Sequence, residues 1–245
     1  MPEPHGPLHR MVRKLEVHAF LSDADRAALL ALPLTLRKFE RGTVLVREGD
    51  LPEHCAVLVS GFACRHKLSQ AGARQIVSLH LPGEMLDLQH IFLDIADHNI
   101  QTLSPATVAT VPRSALRALA ETRPAIGHAI LVNILIEASI FREWLLNIGR
   151  RDARARVAHL LCECAVRLDA EEVEAGQPCD LPMSQDELAD ALGLTPVHVS
   201  RMLRSLADAG LIRRDRRRVS FPRWEELKSA CDFNERYLHH GEQIA

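Results

Sequence analysis

The sequence predicts an α+β chain in three parts, on three observations. Short alternating apolar and polar stretches separated by glycines occupy residues 36–111. A continuous helical pattern of apolar positions then runs from Pro124 to about Arg150, and residues 183–221 read helix, turn, helix, hairpin. Strand and helix periods imply different backbone geometries, so each region predicts its own kind of element.

Residues 22–32 open the ordered chain as a helix. Ser22 is its N-cap, Asp23 and Asp25 sit in the first turn where the helix dipole favours anions, and Pro33 stops it. Strands are expected at residues 43–47, 56–59, 62–67, 75–81 and 107–111. In the fourth, Val77, Leu79 and Leu81 alternate with Ser78 and His80, as in a strand with one wet face. Gly42, Gly49, Gly61, Gly72 and Gly83 mark the joins. Regular turns between short strands favour a β-sandwich or barrel over a βαβ sheet.

Ser114 is read as the cap of a short helix ending near Arg123. In the long helix that follows, Ile130, Ile134, Ala138, Phe141, Leu145 and Ile148 are spaced 4, 4, 3, 4 and 3, the seam of a two-helix contact. Leu131 and Leu135 widen the stripe toward a second surface. Such a rod is about 39 Å long at the α-helical rise. Apolar surface on two sides requires two partners, so the expectation is a dimer spine packed on the β region and on its own copy, with an internal core helix as the plainer alternative. Residues 152–170 form another amphipathic helix, with Val157, Leu160, Leu161, Cys164 and Leu168 on one side. Residues 171–182 read as an acidic linker or a hairpin-like excursion.

Residues 183–221 carry the chemistry. Ser184 caps a helix over 185–191, Gly193 ends it, Leu194 fills the turn, and Thr195 caps a second helix with Pro196 at its first position. Val199, Met202, Leu203 and Leu206 point inward, which leaves His198, Ser200, Arg201 and Arg204 facing out. A second helix of this kind fits the major groove of B-DNA and touches base edges with its early residues. Residues 212–213 and 219–221 follow as the strands of a wing, with Asp215-Arg216-Arg217-Arg218 at its turn. Between Thr195 and Arg223 eight arginines stand against two aspartates, a net +6. An arginine run alone is usually a solvated face; beside a helix-turn-helix it is the cationic surface that phosphates require.

The whole chain of 245 residues is near neutral, net −2, with 47% hydrophobic and 25% charged residues and mean hydropathy −0.05. These values exclude intrinsic disorder and collagen-like composition. The apolar runs are short and interrupted, as by Asn133, and residues 1–13 lack a signal-peptide core. No membrane partner and no export are therefore expected, and the cytoplasm is the default location. Six cysteines (55, 64, 162, 164, 179, 231) include one CxC and no CxxC, so neither a disulfide framework nor a metal site is expected. No nucleophile–base pair or phosphate loop is apparent, which argues against an enzyme. A ligand-binding module without DNA activity is the competing class; it would have no use for the +6 segment.

Four markers in order now carry a resemblance: Arg47-Glu48-Gly49-Asp50, Val59-Ser60-Gly61, Leu81-Pro82-Gly83-Glu84, and Gly193-Leu194-Thr195 through Val199-Ser200-Arg201. Over residues 15 to 225 the chain resembles the CRP/FNR family of bacterial transcription regulators. The resemblance implies a β-roll sensor domain of double-stranded β-helix or jelly-roll type (15–122), a dimerisation helix (123–150), a winged helix-turn-helix (151–225) and a C-terminal tail (226–245). It implies a homodimer on palindromic double-stranded DNA, with RNA polymerase as a partner if the protein activates. Arg201 would contact a guanine, and Ser200 and His198 a base or phosphate. Thr195, Arg204, Arg216, Arg217 and Arg218 complete the DNA-binding set. Val197 stands where many members carry a cytosine-reading glutamate, so the half-site is expected to differ.

The same resemblance places an effector pocket at Glu84, Asp87, Gln89, His90 and His98. Where cyclic-AMP-binding members carry a Gly-Glu pair, this chain has Asp87-Leu88, and residues 96–101 contain no arginine to hold a cyclic phosphate. Cyclic AMP binding in the usual mode is not expected. Nor is an iron–sulfur cluster, because residues 1–54 contain no cysteine. A haem sensor of the same family is the alternative, with His80, His90 and His98 in or beside the ligand loop and Pro2 exposed if Met1 is removed.

Overall fold

A computed structural model describes residues 6–174, 178–181, 183–215 and 218–239, the side chains of 169–174 excepted. They form two compact units. One contains residues 6–67, Ser78–Ile140 and 238–239; the other contains Leu68–Val77 and Phe141–Tyr237.

The first unit begins with α1 (His9–Glu16), a helix the sequence reading did not contain. Leu8 stands at its N-cap without a side-chain cap, and Met11, Val12 and Leu15 are buried. α2 (Asp23–Leu30) starts as expected. Ser22 Oγ accepts from the Asp25 amide, and the Asp25 carboxylate accepts in return from the Ser22 amide. Seven strands follow: β1 (Thr35–Phe39), β2 (Val44–Val46), β3 (His54–Ser60), β4 (Ala63–Leu68), β5 (Arg74–His80), β6 (Asn99–Thr102) and β7 (Ala106–Pro112). They make two sheets, β1-β7-β3 and β2-β6-β4-β5, in which each pairing with a printed register is antiparallel. β1 and β6 were not expected. β1 is an edge strand whose first four residues are exposed, and Arg37 and Lys38 hide its alternation while keeping the edge from pairing further.

α3 (Arg113–Thr122) begins before Ser114, which therefore does not cap it; Pro112 occupies the N-cap without a side-chain bond. The Arg113 amide is satisfied from outside the helix, donating to the Glu53 carbonyl at 2.9 Å, so that donor needs no cap.

α4 (Pro124–Arg150) has the bounds the pattern implied, but its faces are assigned differently. Ile130 is buried with Ile126 and Ala129 in the core formed with α1, α2 and α3, and Ile134 packs against that core. Ile130 cannot belong to a surface seam, while Ile134 is half-buried. The large apolar side chains left outside are Leu131, Leu135, Leu145 and Leu146, at 53%, 57%, 74% and 46% exposure, while Ala138, Phe141 and Ile148 are half-buried. Periodicity shows that a helix has two apolar stripes and is silent on which partner each one meets. By length and composition α4 is also apolar enough to cross a membrane. Its packing in the core and the Glu137 ion pair to Arg65 mark it as a core helix instead.

The second unit contains α5 (Ala153–Glu174), β8 (Cys179–Asp180), α6 (Gln185–Leu192), α7 (Pro196–Asp208), β9 (Arg213–Asp215), β10 (Arg218–Ser220) and α8 (Trp224–Ser229), with a 3-10 turn at Glu235–Leu238. α5 runs past residue 170, and β8 pairs with β10, so the wing is a three-stranded sheet, β8-β10-β9. The expected excursion at 171–182 is thus part helix and part strand; residues 175–177 and 182 lie outside the described residues. The expected tail boundary at 226 falls inside α8, and Leu227, Cys231 and Phe233 are buried. His159 and Phe233 stack edge-on with ring centroids 5.2 Å apart.

A buried carboxylate organises this unit. Glu163 accepts from the Trp144 indole nitrogen at 2.9 and 3.0 Å, from the Tyr237 hydroxyl at 2.9 Å and from Arg167 Nη1 at 2.9 Å. Beside it Glu143 pairs with Arg151 at 2.7 Å and lies 3.1 Å from His159 Nε2. Five of the six cysteines are buried and none forms a disulfide, in line with their reading as packed thiols.

Candidate nucleic-acid interface and sensor site

Local chemistry builds the turn between α6 and α7. Ser184 Oγ and the Glu187 carboxylate form a capping box at the start of α6. Gly193 ends it at φ +62, where a Cβ would meet only ordinary contact with Ile148; the backbone conformation, not crowding, calls for glycine. Thr195 Oγ1 then accepts from the His198 amide at 3.3 Å with Pro196 in the first turn.

Val199, Leu203 and Leu206 are fully buried and Met202 half-buried, which orients α7 as expected. Thr195, Val197, His198, Ser200, Arg201 and Arg204 are all exposed. Val197, Ser200, Arg201 and Arg204 line one open depression together with Pro196 and Gln185. Gln185, at the first position of α6, was not among the expected contacts; its place beside the exposed face of α7 is visible only once α6 and α7 are docked. Neither Arg201 nor Arg204 is ion-paired among the described residues, so both guanidiniums are available to an anionic partner.

The wing arginines divide. Arg213 and Arg214 are exposed on β9. Arg218 donates to the Pro178 carbonyl at 2.9 Å and lies 3.9 Å from Asp180, so it braces β8 as well as facing solvent. Arg223 pairs with Glu226 at 3.0 Å and donates to the Ala209 carbonyl. Arg216 and Arg217 lie outside the described residues.

The expected effector residues do not form one group. Glu84 is held apart, its carboxylate accepting from Lys14 at 2.8 Å and from the Leu81 amide at 3.0 Å. Asp87, His90 and His98 converge instead, all buried. Gln89 Nε2 reaches both His98 Nδ1 and Asp97 Oδ1 at 3.2 Å. Burial holds His90 below the usual histidine range, against the opposing pull of Asp87. The histidines considered for haem are not gathered, since His80 lies by Glu84, at 3.9 Å, rather than with the other two. Asp97 and Arg65 were missed by sequence reasoning. Arg65, buried on β4, donates to the Leu86 carbonyl at 2.9 Å and lies 3.4 Å from Glu137 of α4. Only the folded sheet brings residues 65, 86 and 137 together.

Residues 155–230 match the Crp-like helix-turn-helix domain and residues 36–123 the cyclic nucleotide-binding domain. The nitrogen fixation regulation protein FixK of Rhizobium meliloti is 30% identical over 205 residues, which cover 82% of this chain and 89% of that protein. The chain belongs to the CRP/FNR family. Among other members, the transcriptional activator protein FnrL of Cereibacter sphaeroides is 28% identical over 78% of this chain and 77% of its own. The structure of FixK2 from Bradyrhizobium japonicum superposes with a TM-score of 0.74 at 27% identity, covering 81% of this chain and 97% of that one. As a CRP/FNR protein this chain is a sequence-specific DNA-binding transcriptional regulator, and α7 lies within its Crp-like helix-turn-helix domain. Its CRP/FNR relatives are regulators, not enzymes.

Proposed function

We propose that this regulator acts as a homodimer on a palindromic DNA site, with residues 15–122 sensing, 123–150 dimerising and 151–225 reading DNA. The observation that carries the reading is the exposed face of α7, where Arg201 and Arg204 have no ion pair among the described residues and stand beside Val197, Ser200 and Gln185. Arg201 reads a guanine through its fork of donors, Ser200 and His198 reach base or phosphate, and Thr195, Arg204 and the wing arginines fix the helix on the backbone. Val197 sets an apolar side chain against the groove where it favours a thymine methyl. Leu131, Leu135 and Leu145 form the stripe that a second copy covers. The protein works in the cytoplasm and, like FnrL as named, activates, which makes RNA polymerase its further partner.

Binding to a palindromic site should weaken in Arg201→Ala by roughly 5- to 150-fold for each half-site, the loss of about 1–3 kcal/mol expected for one bidentate base contact. Affinity should also fall steeply with salt. Unchanged affinity in Arg201→Ala at matched salt would remove α7 as the reading helix.

A further inference from the structure

Asp87, His90 and His98 form a set of metal-ligating groups that the DNA-reading surface does not use. One ligand atom from each lies within 4.8 Å of the other two. His90 Nε2 is 3.1 Å from Asp87 Oδ2 and His98 Nε2 is 3.5 Å from Asp87 Oδ1. With bonds of about 2.0–2.1 Å, two ligands of a tetrahedral ion stand about 3.3 Å apart, so these separations are those of one coordination sphere.

Hydrogen bonding does not account for the arrangement. Both Asp87 carboxylate oxygens, both His90 nitrogens and His98 Nε2 are buried without a hydrogen bond among the described residues. Burying such groups without hydrogen bonds is costly. The setting of His98 sharpens the point. Its Nδ1 side is held by Asp97 Oδ1 at 2.6 Å and Gln89 Nε2 at 3.2 Å, which leaves Nε2 facing the Asp87 carboxylate at 3.5 Å. A ligating imidazole whose other nitrogen donates to a carboxylate is the usual outer support of a metal site.

We propose that Asp87, His90 and His98 bind one divalent first-row transition ion, of the Zn²⁺ or Fe²⁺ type, with at least one coordination position left for a small ligand. Two imidazoles with one carboxylate suit such ions and not Mg²⁺ or Ca²⁺, which take oxygen shells. Leu86, adjacent to Asp87, is tied through Arg65 to Glu137 of α4. On the reading of the protein as a dimeric regulator, the ion is its effector, acting on α4 along that chain of contacts.

The test uses the full chain, stripped with a chelator and titrated with Co²⁺ as a spectroscopic probe. One Co²⁺ per chain with ligand-field absorption bands, displaced by Zn²⁺, is expected. Asp87→Asn and His98→Gln should each weaken binding at least tenfold at unchanged circular dichroism. If either variant does not fold, X-ray absorption of the wild-type cobalt protein decides, with two imidazoles expected in the first shell. Absence of a stoichiometric ion, equal affinity in the folded variants, or an imidazole count other than two overturns the assignment. DNA affinity of stripped and loaded protein, measured in parallel, should differ at least fivefold. Equal affinity overturns the effector role alone. Absence of DNA binding in both states is a failure of the regulator reading, and the cobalt result still decides the site.

Discussion

Replacing Glu163 with Gln keeps the shape of the side chain and removes its charge. The carboxylate is 1% exposed and accepts from three donors, the Trp144 indole, the Tyr237 hydroxyl and Arg167, whose own side chain is 8% exposed. An amide offers one acceptor oxygen and turns an N–H toward at least one of those donors, and it takes the Glu163 charge away from the buried Arg167 guanidinium. Breaking one side of a buried pair costs about 3–5 kcal/mol. The amide oxygen retains one neutral hydrogen bond, worth about 1 kcal/mol, so a net loss of about 3 kcal/mol is expected. For a chain of this size that lowers Tm by roughly 6–12 °C. Trp144 and Trp224, the only tryptophans, both lie in the second unit, so urea unfolding followed by tryptophan fluorescence reports on it directly. Tyr237→Phe should cost about 1–2 kcal/mol alone and less in the Glu163→Gln background, because both changes remove the same bond. A Glu163→Gln loss under about 0.5 kcal/mol, or strict additivity with Tyr237→Phe, would refute the network.

Leu135→Asp puts a charge into the exposed stripe of α4 and should yield monomers in sedimentation at micromolar concentration, with helix content unchanged; a stable dimer would move the interface elsewhere. Ser184→Ala removes the hydroxyl half of the α6 capping box and should lower stability by about 1 kcal/mol in urea unfolding. His159, with help from Arg151, holds the Glu143 carboxyl below its ordinary value of 4.5. A group whose folded pKa is depressed adds stability above its unfolded pKa and loses it as pH falls through the folded one. Glu143→Gln should therefore flatten the acid limb of a stability-against-pH profile below about that value and leave its shape near pH 7 intact.

Where local chemistry decides the structure, the residues were readable in order. Ser22, Ser184, Gly193, Thr195 and Pro196 each act on backbone groups within a few positions, and the helices they bound lie where expected. β1 and β6 were not readable because they are short and polar, and join sheets through partners distant in the sequence. α1 lacks a capping side chain and escaped for the same local reason. That Ile130 is buried and its neighbour Leu131 exposed on α4 depends on what packs beside them. Asp87, His90 and His98 have no telling spacing; the loop that carries them must close before their atoms meet.

The tip of the β4–β5 hairpin has one more implication. Leu68–Val77 groups with Phe141–Tyr237, and two of its side chains hold the end of α6: Arg74 pairs with Asp190 at 2.7 Å and Gln75 donates to the Ala191 carbonyl at 3.1 Å. The DNA-reading half is therefore not a contiguous stretch of the gene product. A fragment cut at the middle of α4, or a chimera that exchanges the C-terminal halves of two relatives there, would strand those acceptors unless the hairpin tip travelled with them. An exchange of the DNA-binding part of this chain is then constrained to move two separated segments together.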